Sequence, residues 1–162
     1  MRKHKVLLMM VSVAAFLGAI AMVEAWQPRE EIGFLRPHLA RKMRWEYFAV
    51  PLSPTQYWAR RQAIVKGLSK EDLIVAMARH FNTTPGWTGK NVWGIEGPGY
   101  YAVRKDRFGQ IEDCVTFLED SPRADGSFVV MEEKNLSLLE RGVVRFKNVG
   151  HDPFAYSTAS RQ

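Results

Sequence analysis

Residues 64–81 read IVKGLSKEDLIVAMARHF and contain the clearest local signals of the chain. Gly67 suits the left-handed backbone position at which an element ends, because glycine has no side chain to strain there. Ser69 suits a helix N-cap, and Asp72 follows three residues later, in the first turn, where the helix dipole favours negative charge. The stretch therefore predicts the end of one helix, a short turn and the start of a second helix.

The second helix, from Lys70 to about Phe81, carries one apolar stripe, which repeats at helical spacing. We expect this stripe to pack on one face of a sheet and to form the core with it. The helix residues and the strand residues of this predicted core are Leu73, Ile74, Met77 and Phe81, and Val115, Phe117, Val130 and Phe146.

The residues before the turn predict the first helix of a hairpin. Ser53 is a good N-cap and Pro54 fits the first helical position, so we expect a helix over residues 53–66. Arg60 and Arg61 then fall on its solvent side.

After Asn82 the chain is rich in turns and strand-like segments. Apolar alternation and β-favouring residues predict strands, and Gly-containing turns separate them. Residues 135–141 fit either a helical turn or a strand. The fold class is therefore α+β, a helical hairpin packed on a three- to four-stranded antiparallel sheet. The predicted strands cover residues 91–105, 110–120, a segment around 128–130, and 142–148, with turns at 106–109 and 121–126.

The chain length, the net charge and the number of cysteines limit the functions that the protein can have. With 162 residues there is room for one domain besides the N-terminal segment, and a formal charge of +6 without a motif does not predict nucleic-acid binding. Cys114 is the only cysteine, which excludes an intramolecular disulfide and a multi-cysteine metal site. We find no catalytic motif, and we predict no catalytic residue, no metal and no cofactor.

Residues 1–25 are a targeting segment. A basic start precedes an apolar run over residues 6–23, and Val23-Glu24-Ala25 offers the small residues that a signal peptidase reads. As a helix, eighteen residues span about 27 Å, close to the thickness of a bilayer core. The segment is therefore either a cleaved signal peptide or a single-pass anchor in the inner membrane. Basic residues also follow the apolar run, so flanking charge does not fix the orientation of an anchor. We expect the domain outside the cytoplasm, in the periplasm or another extracytoplasmic space.

Residues 26–52 form a basic and aromatic connector. Between Pro37 and Pro51 there is room for a short helix, in which cations are mixed with aromatic rings. Segment 41–48 suits contact with a membrane surface, and it equally suits a connector that folds back over the domain. The globular domain then covers residues 53–150, and residues 151–162 are a loose tail.

One phrase resembles a known family. Residues 66–73, KGLSKEDL, resemble the GMTKEQV phrase of the SmpA/OmlA (BamE-like) envelope proteins, and Pro85, Trp87, Trp93 and the phrase VTFLED at 115–120 follow in the family's order. The resemblance covers about residues 55–132. The chain lacks the family's lipid-bearing cysteine, and 82–85 replace its usual Gly-Pro. The resemblance implies a helical pair on a three-stranded sheet that binds other envelope proteins without catalysis.

These observations favour an exported, non-enzymatic protein-binding or assembly module of the cell envelope, whose partner is an envelope or membrane protein. The alternatives are a single-pass accessory subunit of a membrane complex, and a ligand-binding protein or enzyme whose site forms only in three dimensions. We expect exposed aromatic and basic residues to form the interface, because these are enriched at hot spots; inward-facing Trp93 and Tyr101 are the alternative. The candidates are Trp87, Trp93, Tyr100 and Tyr101, with the 87–101 bend ranked first, and Arg41, Arg44, Trp45 and Tyr47.

Overall fold

The structure is a computed structural model that describes residues 2–49, 56–94, 97–117, 125–148 and 153–154. Within these ranges, the side chains of residues 2–8, 24, 93, 94 and 97 are not described.

The described chain is an α+β fold built on one antiparallel sheet. The fold class is confirmed, but the sheet has seven strands instead of three to four. Its order is β1-β3-β7-β6-β5-β4, with β2 pairing the other half of β3. The strands are β1 (Leu39–Lys42), β2 (Glu46–Ala49), β3 (Tyr57–Val65), β4 (Trp87–Gly94), β5 (Gly97–Lys105), β6 (Ile111–Phe117) and β7 (Phe128–Asn135), and the helices are α1 (Arg2–Ala25), a 3-10 helix (Gly33–His38), α2 (Lys70–Thr83) and α3 (Leu138–Lys147).

The predicted helical hairpin is wrong, because residues 57–65 form the strand β3 and not a helix. Burial alternates along this strand, with Ala59, Arg61, Ala63 and Val65 buried on one face. Pairing with β7 over eight residues then satisfies the backbone. Residues 53 and 54, which suggested the helix start, lie outside the described residues.

The turn and the second helix are confirmed. Gly67 has a φ of +75°, although it follows a strand and not a helix. The Asp72 backbone N–H donates to Oγ of Ser69 over 3.1 Å, which caps α2.

The core between α2 and the sheet contains most of the predicted residues. Leu73, Met77, Phe81, Val115, Phe117 and Val130 are all buried there, and the half-buried Ile74 packs against them. Phe146 is the exception, because 51% of its surface is exposed.

The reason for the Phe146 error is that residues 142–147 belong to the helix α3 and not to a strand. A capping box starts this helix: Glu140 N–H donates to Oγ of Ser137, and Ser137 N–H donates to Oε2 of Glu140. Helical geometry then turns Val144 toward the sheet and Phe146 toward solvent.

Three of the four strand segments predicted after α2 are strands, and the fourth, 142–148, is not. Residues 91–94 lie in β4, 97–105 form β5 and 111–117 form β6, whereas 95–96 and 118–120 lie outside the described residues. The turn at 106–109 is confirmed, since Oδ1 of Asp106 accepts from the backbone N–H groups of Phe108 and Gln110, and Gly109 has a φ of +79°.

Residues 26–49 are part of the domain. The short helix considered between Pro37 and Pro51 is not formed by residues 39–49, because the chain continues from the 3-10 helix into β1 and β2. Ile32 and Leu35 are buried in the main core. Phe154 is also buried, so the predicted loose tail is wrong at this residue; 155–162 lie outside the described residues. A second apolar cluster contains Phe154 with Ala59, Leu136, Val144, Trp26, Trp45, Tyr47, Ala49 and Tyr57.

Both apolar clusters lie on the same face of the sheet. α2 covers one end of this face and α3 the other, and charged residues occupy the strip between them. On the opposite face, Trp58, Tyr101 and Met131 are half-buried. Among the residues that the structure describes, no helix combines the length and the apolar character needed to cross a membrane.

Candidate functional site

A buried ion pair forms the base of the candidate site. Arg61 on β3 lies directly opposite Glu132 on β7, and both are buried, with 7% and 2% of their surfaces exposed. Nε of Arg61 donates to Oε2 of Glu132 over 2.8 Å, and Nη2 donates to the same oxygen. The other oxygen, Oε1, accepts from the backbone N–H groups of Glu31 and Ile32 over 2.7 and 3.0 Å. The carboxylate is therefore fully engaged by protein donors, which offsets the cost of its burial.

A second charged pair lies beside the first on the same sheet face. Nη2 of Arg104 donates to Oδ2 of Asp113, and it lies 3.6 Å from Oε1 of Glu31. Burial raises the pKa of Asp113, and the positive charge of Arg104 opposes that rise. Because Glu31 touches both pairs, the pairs together attach the segment after α1 to the sheet.

A pocket of about 370 Å³ opens where Arg61 approaches the surface. Its walls come from five parts of the chain: the segment after α1, the connection between β1 and β2, the strand β2, the strand β3, and the end of α3. We call it the basic pocket; it is lined by Gln27, Met43, Arg44, Trp45, Tyr47, Arg61 and Lys147.

The arrangement of the basic pocket is held by contacts between its own walls. Cζ of Arg61 lies 4.5 Å from the centroid of the Trp45 ring, a cation–π contact. On the far side, Nζ of Lys147 donates to the backbone oxygen of Trp26 over 2.6 Å, which connects the end of α3 to the end of α1. Arg44 is exposed at the pocket's edge.

The lining is rich in donors and positive charge. It holds three cations and no carboxylate. Burial raises the pKa of Tyr47, so its phenol stays protonated and can donate. In the described part of the chain, the buried Nε1 of Trp45 has no acceptor. These groups suit an anion with several oxygens.

Three of the predicted interface residues meet in this pocket, namely Arg44, Trp45 and Tyr47. Arg41 is exposed on β1, outside the lining. Tyr101 is half-buried on the opposite face of the sheet. The side chain of Trp93 is outside the described residues.

The prediction that Trp87 and Tyr100 are exposed in a bend is wrong. Residues 87–94 and 97–101 are strands, and the two rings point into the core with 8% and 1% of their surfaces exposed. The Trp87 ring packs 4.5 Å from the ring centroid of Phe81, and the Tyr100 hydroxyl lies 3.4 Å from Oδ1 of Asn82. Both residues therefore fix α2 to the sheet and are not available to a partner.

Sequence reasoning missed Arg61, Lys147 and Gln27. The helix predicted over residues 53–66 places Arg61 on its solvent side. The signal that could have found it is its place between Ala59 and Ala63, since period-two spacing puts all three on one strand face.

Other chemistry has little support among the described residues. They contain no group of three or more His, Cys, Asp or Glu side chains that could hold a metal ion. Burial is the main cause that raises the pKa of the Cys114 thiol, which lowers its thiolate fraction.

Compared with protein-family models, with curated proteins and with solved structures, the chain matches none of them.

Proposed function

We propose that this chain is an exported binding module of the cell envelope that rests on a lipid surface through α1 and the outward face of α3. One observation carries the proposal. Of the twelve large apolar side chains that are exposed in the described part of the chain, seven lie on α1 and three on α3. They are Met9, Met10, Val11, Val13, Phe16, Leu17 and Met22 on α1, and Leu138, Leu139 and Phe146 on α3.

The two helices present a single surface. An apolar hollow of about 480 Å³ lies between Val23 at the end of α1 and the α3 residues Leu138, Leu139, Gly142, Val143 and Phe146. Contiguous exposed apolar surface of this kind is typical of a contact with a membrane or another protein.

A protein could cover the same surface. In that alternative α1 is an anchor instead of lying on the lipid surface, the chain is an accessory subunit, and α3 contacts a protein of the same membrane. The predicted partner, an envelope or membrane protein, stays a prediction. The intact mass of the mature chain distinguishes a retained α1 from a chain that begins at Trp26.

The lipid contact is tested by placing a fluorescent reporter on α3. The variant Phe146→Cys carries an environment-sensitive dye, and Phe108→Cys, on the β5–β6 turn, is the matched control because Phe108 is also exposed. Cys114 is buried and reacts poorly with the dye. With phosphatidylcholine vesicles, we expect a blue shift of the dye at 146 and none at 108. A dye that stays in water at 146 while α1 holds the chain on the vesicle contradicts the proposal.

A further inference from the structure

We propose that the basic pocket binds a phosphate group, as a phosphate monoester or diester. In the described structure, cationic side chains converge on this pocket, and its lining contains no acidic side chain to neutralise them. Arg44, Arg61 and Lys147 reach it from three different elements, and no carboxylate lines it. Cations that converge from several directions suit a tetrahedral oxyanion better than a planar carboxylate.

The charge of the pocket fits this ligand. Glu132 binds Arg61 from the side of the sheet, and both of its oxygens are already engaged. The ion pair leaves Arg44 and Lys147 as the net positive charges of the wall. A phosphate monoester carries a charge of about −1.5 to −2 at neutral pH, and a diester carries one negative charge, so either is matched.

The neutral groups of the pocket point to the same class of ligand. Tyr47 is a protonated phenol, and Nε1 of Trp45 is a buried donor without an acceptor among the described residues. An unsatisfied buried donor costs free energy until an acceptor reaches it. Nε1 is buried, so the Trp45 ring must turn before a phosphate oxygen can accept from it. The Trp45 ring, held against Arg61, would form the apolar wall beside it.

The position of the pocket allows two sources of phosphate. Gln27 follows α1 by two residues, and Lys147 is adjacent to Phe146, so the pocket borders the apolar surface of α1 and α3. A lipid headgroup would reach it if the proposed lipid contact is correct, and only this source depends on that proposal. A free phosphate ester would reach it from solution.

The experiment compares two arginines that differ in position but not in charge. Arg44→Gln removes a pocket cation, and Arg41→Gln removes an exposed cation outside the lining. Trp45→Phe removes only the indole donor. For the free source, inorganic phosphate and glycerol 1-phosphate are titrated calorimetrically into the full chain in uncharged detergent. For the lipid source, binding to vesicles of phosphatidylcholine alone is compared with binding to vesicles that also contain phosphatidylglycerol.

We expect Arg44→Gln to weaken phosphate-dependent binding about tenfold relative to Arg41→Gln, as for a lost hydrogen bond to a charged group. Trp45→Phe should also weaken phosphate-dependent binding, in whichever of the two assays, detergent or vesicles, shows the effect of Arg44→Gln. An effect in detergent identifies a free phosphate ester, an effect only on vesicles identifies a lipid headgroup, and a stronger effect with phosphatidylglycerol identifies a headgroup with net negative charge. Two results overturn the proposal: an equal loss of phosphate-dependent binding in Arg44→Gln and Arg41→Gln, or no phosphate-dependent binding in either the detergent or the vesicle assay. The dye at 146 reports the lipid contact in phosphatidylcholine alone, so the two proposals fail independently.

Discussion

At the scale of single residues, Gly89 shows how closely this sheet is packed. An ideal Cβ built at Gly89 would lie 1.8 Å from the hydroxyl oxygen of Tyr100 and 3.1 Å from Oδ1 of Asn82. Tyr100 is buried and its hydroxyl reaches Asn82, so the ring has little freedom to move. Gly89 is therefore required by space, because Tyr100 occupies the volume that a side chain would take.

We predict that Gly89→Ala destabilises the protein by about 1–3 kcal/mol, the usual cost of overpacking a core. The measurement is the urea midpoint of unfolding. Gly142→Ala is the control, since Gly142 is exposed on α3 with nothing within 4 Å of its ideal Cβ, and alanine favours helix. An unchanged midpoint for Gly89→Ala would mean that Tyr100 does not occupy this position in solution.

The role of a single residue can be predicted from the sequence where it depends only on neighbouring residues of the chain. Gly67 and Ser69 fix their own backbone and cap, so their roles can be read without knowing the neighbouring elements. Arg61 is different, because its role depends on Glu132, which is 71 residues away. The candidate site was found only in the part contributed by Arg44, Trp45 and Tyr47, which lie close together along the chain.

At the scale of elements, the helix predicted over residues 53–66 contains a strand and the strand predicted over 142–148 belongs to a helix. Both errors have the same physical cause. Residues 57–65 contain residues that a helix tolerates, and only pairing with β7 and with the β1 and β2 edge selects the strand. Segment 142–147 contains β-branched and aromatic residues, and the capping box at Ser137 selects the helix. Periodicity over six to nine residues does not separate these outcomes.

Element packing also gives α2 a pH-dependent contact. The His80 ring stacks on Phe34 of the 3-10 helix, with the ring centroids 4.1 Å apart. Burial lowers the pKa of His80 below its usual value of 6.5. The folded protein therefore prefers neutral His80, and the unfolded chain binds the proton more readily.

We expect this contribution to stability to be complete above pH 6.5 and to be lost as the pH falls from 6.5 toward the lower folded pKa. The measurement is the urea midpoint at pH 7.5 and pH 5.5 for the wild type and for His80→Phe, which keeps a ring against Phe34. The difference between the two pH values should be smaller in the variant. An equal difference in both proteins would show that His80 does not titrate differently on folding.

At the scale of the whole molecule, the sequence predicts the fold class but not the width of the sheet. The meander from β4 to β7 follows local turns, whereas β1, β2 and β3 come from segments predicted as connector and helix. The envelope-protein resemblance implied a helical pair before residue 70, and a strand stands there instead. The resemblance itself stays a prediction, as do export and the protein partner.

Glu132 connects the most distant parts of the chain. It binds Arg61 of β3 with one oxygen and the backbone N–H groups of Glu31 and Ile32, about a hundred residues away, with the other. Removing one member of a buried pair leaves the other charge uncompensated, which typically costs about 3–5 kcal/mol. That is a large share of the roughly 5–15 kcal/mol that stabilises a domain.

We therefore predict that Glu132→Gln lowers the free energy of unfolding by about 3 kcal/mol, because the amide still accepts from the backbone but no longer neutralises Arg61. Glu133→Gln is the matched control on the next residue of β7. Its partner Arg60 is substantially exposed, so the loss should be at most about 1 kcal/mol. Urea unfolding measures both. Similar losses in the two variants would mean that water reaches Arg61 from the basic pocket and that the pair is not buried in solution.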